Sequence, residues 1–202
     1  MKYVLIGIVL FTFVSCTSGY TKEEDKWVWI SHDTGVGKRT SQIDEHDFKS
    51  FTPLDNNYAK DKFNVFYRRT KIAQADPNTF ETIKKGYSKD KYHVYLNAHM
   101  VVLANPQSFE ILEFPYSKDD NYVFNGTLPL NLDGEKIQEF EILKEKDILT
   151  SGQSTTTLSH FIERNPKYKW LDTLGINGII IGPRSIALVN NKKFIGIEET
   201  NK

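Results

Sequence analysis

The sequence has one cysteine in 202 residues, two methionines, and no excess of charge: 26 Lys and Arg stand against 26 Asp and Glu. A single cysteine excludes an internal disulfide framework, so the fold must be held by its core. The charge balance excludes the footprint of a nucleic-acid partner, because neutralising phosphates takes a basic face and the Lys and Arg here alternate with Asp and Glu. No apolar run is long enough to span a bilayer as a helix; the longest, Tyr3 to Val14, falls short of the about 18 residues required. The histidines at 32, 46, 93, 99 and 160 have no metal-ligand spacing, and no GxSxG is present, so neither a metal nor a cofactor nor a serine nucleophile is expected. GVGKRT, from Gly35, lacks the first glycine of a phosphate loop, where His32 stands, and has Arg39 in place of its Ser or Thr.

What the chain has in quantity is aromatic: ten Tyr, thirteen Phe and three Trp. Flat rings pack well on a pleated surface, which points to an all-β protein. The N-terminus MKYVLIGIVLFTFVSC joins Lys2 to an apolar run and a small residue before Cys16, the pattern of a secretion signal over residues 1–15. Ser15-Cys16 resembles a bacterial lipobox, which implies cleavage before Cys16 and lipidation of its sulfur. Residues 16–24 then read as a polar tether, and Lys22-Glu23-Glu24-Asp25 is similar to short acidic signals of surface lipoproteins. The expected location is the bacterial cell envelope, as an exported outer-membrane lipoprotein whose first partner is the membrane itself.

The strongest pattern is internal. YAKDKFNVFY, YSKDKYHVY and YSKDDNYVF begin at Tyr58, Tyr87 and Tyr116, a period of 29 residues. The same period aligns Ile43, Ile72, Val101 and Leu130; Phe51, Phe80 and Phe109; Leu54, Ile83 and Leu112; Asp61, Asp90 and Asp119; Val65, Val94 and Val123; and Phe66, Tyr95 and Phe124. Repeats of this length are stacked units that bury their apolar faces on one another. Each unit reads as about three short strands, with hairpin turns at Arg68-Arg69, Asn97-Ala98 and Asn125-Gly126, and further turns at Asp76-Pro77 and Asn105-Pro106. FEIL at Phe109 returns at Phe140, so a fourth unit begins and is then interrupted.

The expected fold is therefore mainly β: a repeat array of short antiparallel strands over 25–143, closed by a small α+β segment over 144–202. In that segment TTTLSHFIERN predicts a short helix with a threonine cap and a stop at Pro166, and RSIALVNNKKFIGI a closing hairpin turning at Asn190-Asn191. At the front, DKWVWI from Asp25 opens an atypical unit with a longer loop. Tyr87, in the middle unit, is expected to pack against both flanking units, and its loss to cost more than that of Asp90, which as a simple turn cap is worth about 1 kcal/mol.

Aspartate-lysine, two residues, then valine and aromatics, followed by Ala-Asp-Pro-x-Thr-Phe-Glu, resembles the DKNYY family of exported bacterial proteins over about Asp25 to Leu143. The resemblance implies architecture and brings no activity with it. In the third unit Asp120 and Asn121 replace the lysine and the aromatic, so its turn is expected to differ.

Two constellations invite a chemical reading. Asp61, Asp90 and Asp119 form a ladder of carboxylates, but calcium needs six to eight oxygens and each Asp has lysine beside it; acceptance of backbone N–H groups in a turn explains the same column. Asp33-Thr34-Gly35 matches the triplet of aspartic proteases, with Ile180 to Arg184 as a faint second segment, yet Ser31-His32 and Gly35-Val36-Gly37 around it read as a hairpin loop. The expected function is a non-catalytic envelope lipoprotein that binds or scaffolds a protein or glycan partner. An inhibitory or immunity-type lipoprotein that occludes a toxin or enzyme is the alternative, and an aspartic-protease-like enzyme the third class.

Overall fold

The computed structural model describes residues 18–132, 136–143 and 154–200. Cys16, the signal segment 1–15 and residues 144–153 lie outside the described residues. β1 (Gly19–Glu23), β2 (Lys26–Asp33) and β3 (Gly37–Gln42) form a three-stranded antiparallel sheet. β4 (Thr52–Pro53), β5 (Tyr58–Lys60), β6 (Val65–Tyr67) and β7 (Thr70–Lys71) form the first four-stranded meander, and β8 (Glu81–Thr82), β9 (Tyr87–Lys89), β10 (Val94–Leu96) and β11 (His99–Met100) the second. β12 (Glu110–Ile111), β13 (Tyr116–Lys118), β14 (Val123–Asn125) and β15 (Leu128–Pro129) form the third. After β16 (Phe140–Leu143) come β17 (Ser154–Thr157), helix α1 (Leu158–Arg164), a 3-10 helix (Pro166–Leu174) and β18 (Gly178–Ile181). The last strands are β19 (Ile186–Val189), β20 (Lys192–Ile195) and β21 (Glu198–Thr200).

Each unit thus has four strands, not three. The added member is the two-residue β4, β8 or β12, too short to carry an alternation that sequence reading can detect. The fourth unit is also complete. β16 pairs with β19, and the order β16-β19-β20-β21 repeats that of the other meanders, with the paired strands β17 and β18 and both helices inserted between its first and second strands. One hydrogen bond marks the equivalence: Gly196 N donates to Ser185 O at 2.8 Å, as Arg68 N does to Asn57 O, Asn97 N to Gly86 O and Gly126 N to Pro115 O. The closing hairpin predicted at Asn190-Asn191 forms there, both residues at positive φ, 48° and 64°.

That same bond corrects the third turn. Asn125 is the last residue of β14, paired with Leu128, and the turn is Gly126-Thr127. In this two-residue turn the first residue alone is at positive φ: Arg68 56°, Asn97 55°, Gly126 63° and Gly196 65°. Asn125 is instead fully buried, accepting from Gly182 N at 2.8 Å and donating to Gly196 O at 3.2 Å. The third unit's other turn does not differ despite Asp120 and Asn121: Asp119 holds it with the same bonds as its counterparts.

The tether reading of residues 16–24 also fails beyond Ser18, because Gly19–Glu23 is β1, in register with β2 from Gly19↔Ile30 to Glu23↔Lys26. A single aromatic anchors this polar stretch. Tyr20 lies edge-on to Phe51 at 5.6 Å and donates its hydroxyl to Asn57 O at 2.7 Å. In the insertion, Thr157 sits extended at the start of α1 but makes no side-chain cap bond, and Pro166 does not simply end the helix; it opens the 3-10 helix.

The sheets are joined by rings. Tyr20 meets Phe51, Tyr58 meets Phe80 at 5.7 Å, Tyr87 meets Phe109 at 5.4 Å and Tyr116 meets Phe140 at 5.5 Å. In every case the tyrosine of one sheet docks on the phenylalanine of the next. This explains why both columns recur, since each interface presents one niche to be filled. The insertion packs across the stack, with β18 against β11 and β15. Its seat is Thr127, whose N–H and hydroxyl both donate to Ile180 O, at 2.8 and 3.1 Å, while Oγ1 accepts from Ile180 N at 2.9 Å.

Gly126 permits this seat. A Cβ there would overlap the Ile180 carbonyl, and its φ of 63° disfavours a side chain in any case. We expect Gly126→Ala to cost about 1–3 kcal/mol through overpacking and to loosen the insertion from the third unit. Amide exchange checks this: β17 and β18 should lose protection first, and unchanged protection there would refute it.

Candidate functional site

The aspartate column is a structural relay. Asp90 is 3 % exposed; Oδ1 accepts from Tyr92 N and His93 N, both at 2.7 Å, and Oδ2 from Asp76 N at 2.8 Å and Tyr95 Oη at 2.9 Å. Asp61 takes Phe63 N, Asn64 N and Asp47 N at 2.7, 2.7 and 2.8 Å; Asp119 takes Asn121 N, Tyr122 N and Asn105 N at 2.8, 2.7 and 2.8 Å. Each carboxylate therefore closes its own turn and ties down a second turn upstream.

Sequence reading missed the second half of this relay. Asp47, Asp76 and Asn105 accept in turn from Ser50 N, Asn78 N and Gln107 N. Ser50 Oγ, Thr79 Oγ1 and Ser108 Oγ accept from Lys62 N, Lys91 N and Asp120 N, which closes a loop in each unit. The signal was in the period, two further columns of short polar residues beside the phenylalanines. Hydrogen bonds from Ser50, through its hydroxyl and its backbone, pull the Asp47 carboxyl down to about 2; those from Asn78 lower that of Asp76. Lys62 pairs with Asp47 at 3.2 Å and Lys91 with Asp76 at 3.8 Å. The third unit's oddity follows: Asn105 carries no charge, so Asp120 in place of a lysine breaks no ion pair.

The Asp33-Thr34-Gly35 triplet occupies the β2–β3 loop, where Asp33 Oδ1 accepts from Gly35 N at 2.8 Å and Val36 N at 3.0 Å. Ile180 and Ile181 belong to β18, paired with β17. Among the described residues no group of three or more His, Cys, Asp or Glu side chains is placed to hold a metal ion. No described helix is long and apolar enough to cross a membrane.

Where the front sheet, the first two units and the insertion meet, there is a cleft of about 620 Å³, and none of its lining side chains is acidic. Trp29, Tyr67, Met100 and Ile176 give it apolar walls; Arg69 and Lys71 stand on its cationic side. The Arg68 guanidinium lies 5.1 Å from the ring centres of both Trp29 and Tyr67, and its Nε donates to Asn57 Oδ1 at 3.1 Å. Burial lowers the pKa of His99, opposed by a hydrogen bond with the Gly178 backbone, so the ring is neutral near pH 7. Gln74 Nε2 donates to Leu174 O at 2.6 Å and fastens the insertion beside this opening.

Sequence reading passed over these residues, taking Arg68-Arg69 only as a turn. What marks them is departure from the repeat. Arg68, Arg69 and Lys71 correspond to Asn97, Ala98 and Met100 in the second unit and to Gly126, Thr127 and Pro129 in the third. The fold does not require cations there.

No curated protein and no solved structure matches the chain. The family model described as DKNYY family matches it three times, over residues 8–99, 29–159 and 64–194, in overlapping matches. The chain, a mainly β repeat array, belongs to the DKNYY family.

Proposed function

We propose that the protein is a non-catalytic binding module of the bacterial cell envelope, exported and anchored through an acylated Cys16, and that it engages its partner at the cleft beside Trp29 and Tyr67. The observation that carries this reading is the contrast between the repeat columns and the cleft. The aspartates that recur through the three meanders are committed to turns, whereas the cations on the cleft wall, Arg68, Arg69 and Lys71, occur in the first unit alone. A side chain the fold does not need is free to be chosen for contact. That Asp33 is committed to its loop supports the non-catalytic reading over a protease.

Cross-linking in living cells tests the contact. A photoreactive residue at Thr70 or Ala98, both on the cleft wall, should capture a discrete partner, and one at Glu141 in β16 should not. Capture through Glu141 alone would refute the placement. For the anchor, mass spectrometry of the native protein should give a mature chain beginning at acylated Cys16; an unmodified cysteine or another N-terminus would refute the lipoprotein reading.

A further inference from the structure

We infer that the cleft takes a small anionic ligand, a carboxylate or phosphate carried on an apolar body. This rests on the binding-module reading above and names its chemistry. Three observations converge. Arg69 and Lys71 line the cleft, neither forms an ion pair within the described residues, and no Asp or Glu shares the lining. The nearest acidic residue along the chain pairing, Asp44, accepts the Lys71 N–H at 2.9 Å and is not part of the wall. Unpaired cations on a concave surface with low-dielectric walls focus a positive potential into it.

The second observation is the internal control that the repeat supplies. At the first turn position the other units have Asn97, Gly126 and Gly196, residue types suited to positive φ, whereas the first unit holds Arg68 there at 56°. What holds Arg68 in this conformation is its stacking on the two cleft rings and its Nε bond to Asn57 Oδ1, contacts that fix a cation beside the cleft. Arg68, stacked on Trp29 and Tyr67, keeps its charge at the cleft without needing a carboxylate partner. The third observation is the apolar remainder. Half-buried Tyr67 and the edges of Met100 and Ile176, 9 % and 7 % exposed, offer contact to a hydrocarbon or ring, and about 620 Å³ is the size of a site for one small molecule or for one such group presented by a larger partner.

The test is calorimetric titration of the full mature protein with 3-phenylpropionate, with phenyl phosphate, and with the neutral 3-phenylpropanol. The comparison variant is Arg69→Ala with Lys71→Met, which installs the second unit's own residues, with a thermal melt to establish that it is folded. An anion should bind about tenfold or more tightly than the alcohol, and the double variant should lose that preference. The stronger of the two anions identifies the headgroup. Equal binding of alcohol and anions, a preference that survives in the folded variant, or no binding by any probe would each overturn the inference. Partner capture through Thr70 or Ala98 would still stand in those cases, so the two readings fail separately.

Discussion

Asp90→Ala should lower the stability of the protein by about 3–5 kcal/mol in urea denaturation. The reason is the number of donors it strands. Asp76 N, Tyr92 N, His93 N and Tyr95 Oη all point at this one buried carboxylate. A buried donor left without an acceptor costs about 1–3 kcal/mol, and water entering from the turn side offsets part of the sum. This replaces the figure of about 1 kcal/mol expected for a turn cap, because the side chain joins two turns rather than capping one. Asp119→Ala, which strands three donors since Phe124 has no hydroxyl, should cost less than Asp90→Ala. Asp90→Asn should fall between alanine and wild type, keeping the volume while presenting an amide donor to other donors. Calcium should leave all midpoints unchanged, since N–H groups already fill the lone pairs a cation would need. A loss below about 1 kcal/mol for Asp90→Ala, or a calcium-dependent rise in the wild type alone, would sink the relay.

The repeat made the fold legible, and its limits made the rest obscure. Columns of Tyr, Phe and Val report a niche that recurs, so the stacked architecture could be read before any coordinate. The two-residue strands β4, β8 and β12 could not, because an alternation needs more than two members to be seen. The fourth unit was hidden by the insertion after β16: Ile186 stands where the other units have tyrosine, and Asn190-Asn191 replaces the aspartate turn. Tyr20 escaped for the opposite reason, as one aromatic among polar residues where the pattern suggested a linker. The cleft was least legible of all. Its wall is made from residues that break the period, and a reading that searches for recurrence discards those first.

Tyr87→Ala should cost about 3–5 kcal/mol, the range for removing a buried ring, because Tyr87 is 2 % exposed and stacks on Phe109 within a cluster that includes Val94, Leu96, Phe124 and Ile180. The damage should be directional. That cluster draws on the second unit, the third and the insertion, and on no residue of the first, so the expectation that Tyr87 serves both neighbours gives way to one in which each tyrosine serves the unit after it. Amide exchange on Tyr87→Ala should therefore show protection falling in β12 to β15 and in β18, while β4 to β7, held to the second unit by Tyr58 on Phe80, keep theirs. The hydroxyl separates packing from polarity. Tyr58 Oη donates to Gly86 O at 2.6 Å, whereas the group facing Tyr87 Oη is the buried Ser117 hydroxyl. Tyr58→Phe should cost about 1 kcal/mol, and Tyr87→Phe should cost less, since Tyr87 Oη meets a serine hydroxyl and no backbone carbonyl among the described residues. If Tyr87→Phe proves as costly as Tyr58→Phe, the polar account of this interface is wrong. If Tyr87→Ala strips protection from the first unit as much as from the third, the stack transmits damage in both directions and the one-way docking of tyrosine on phenylalanine does not describe its energetics.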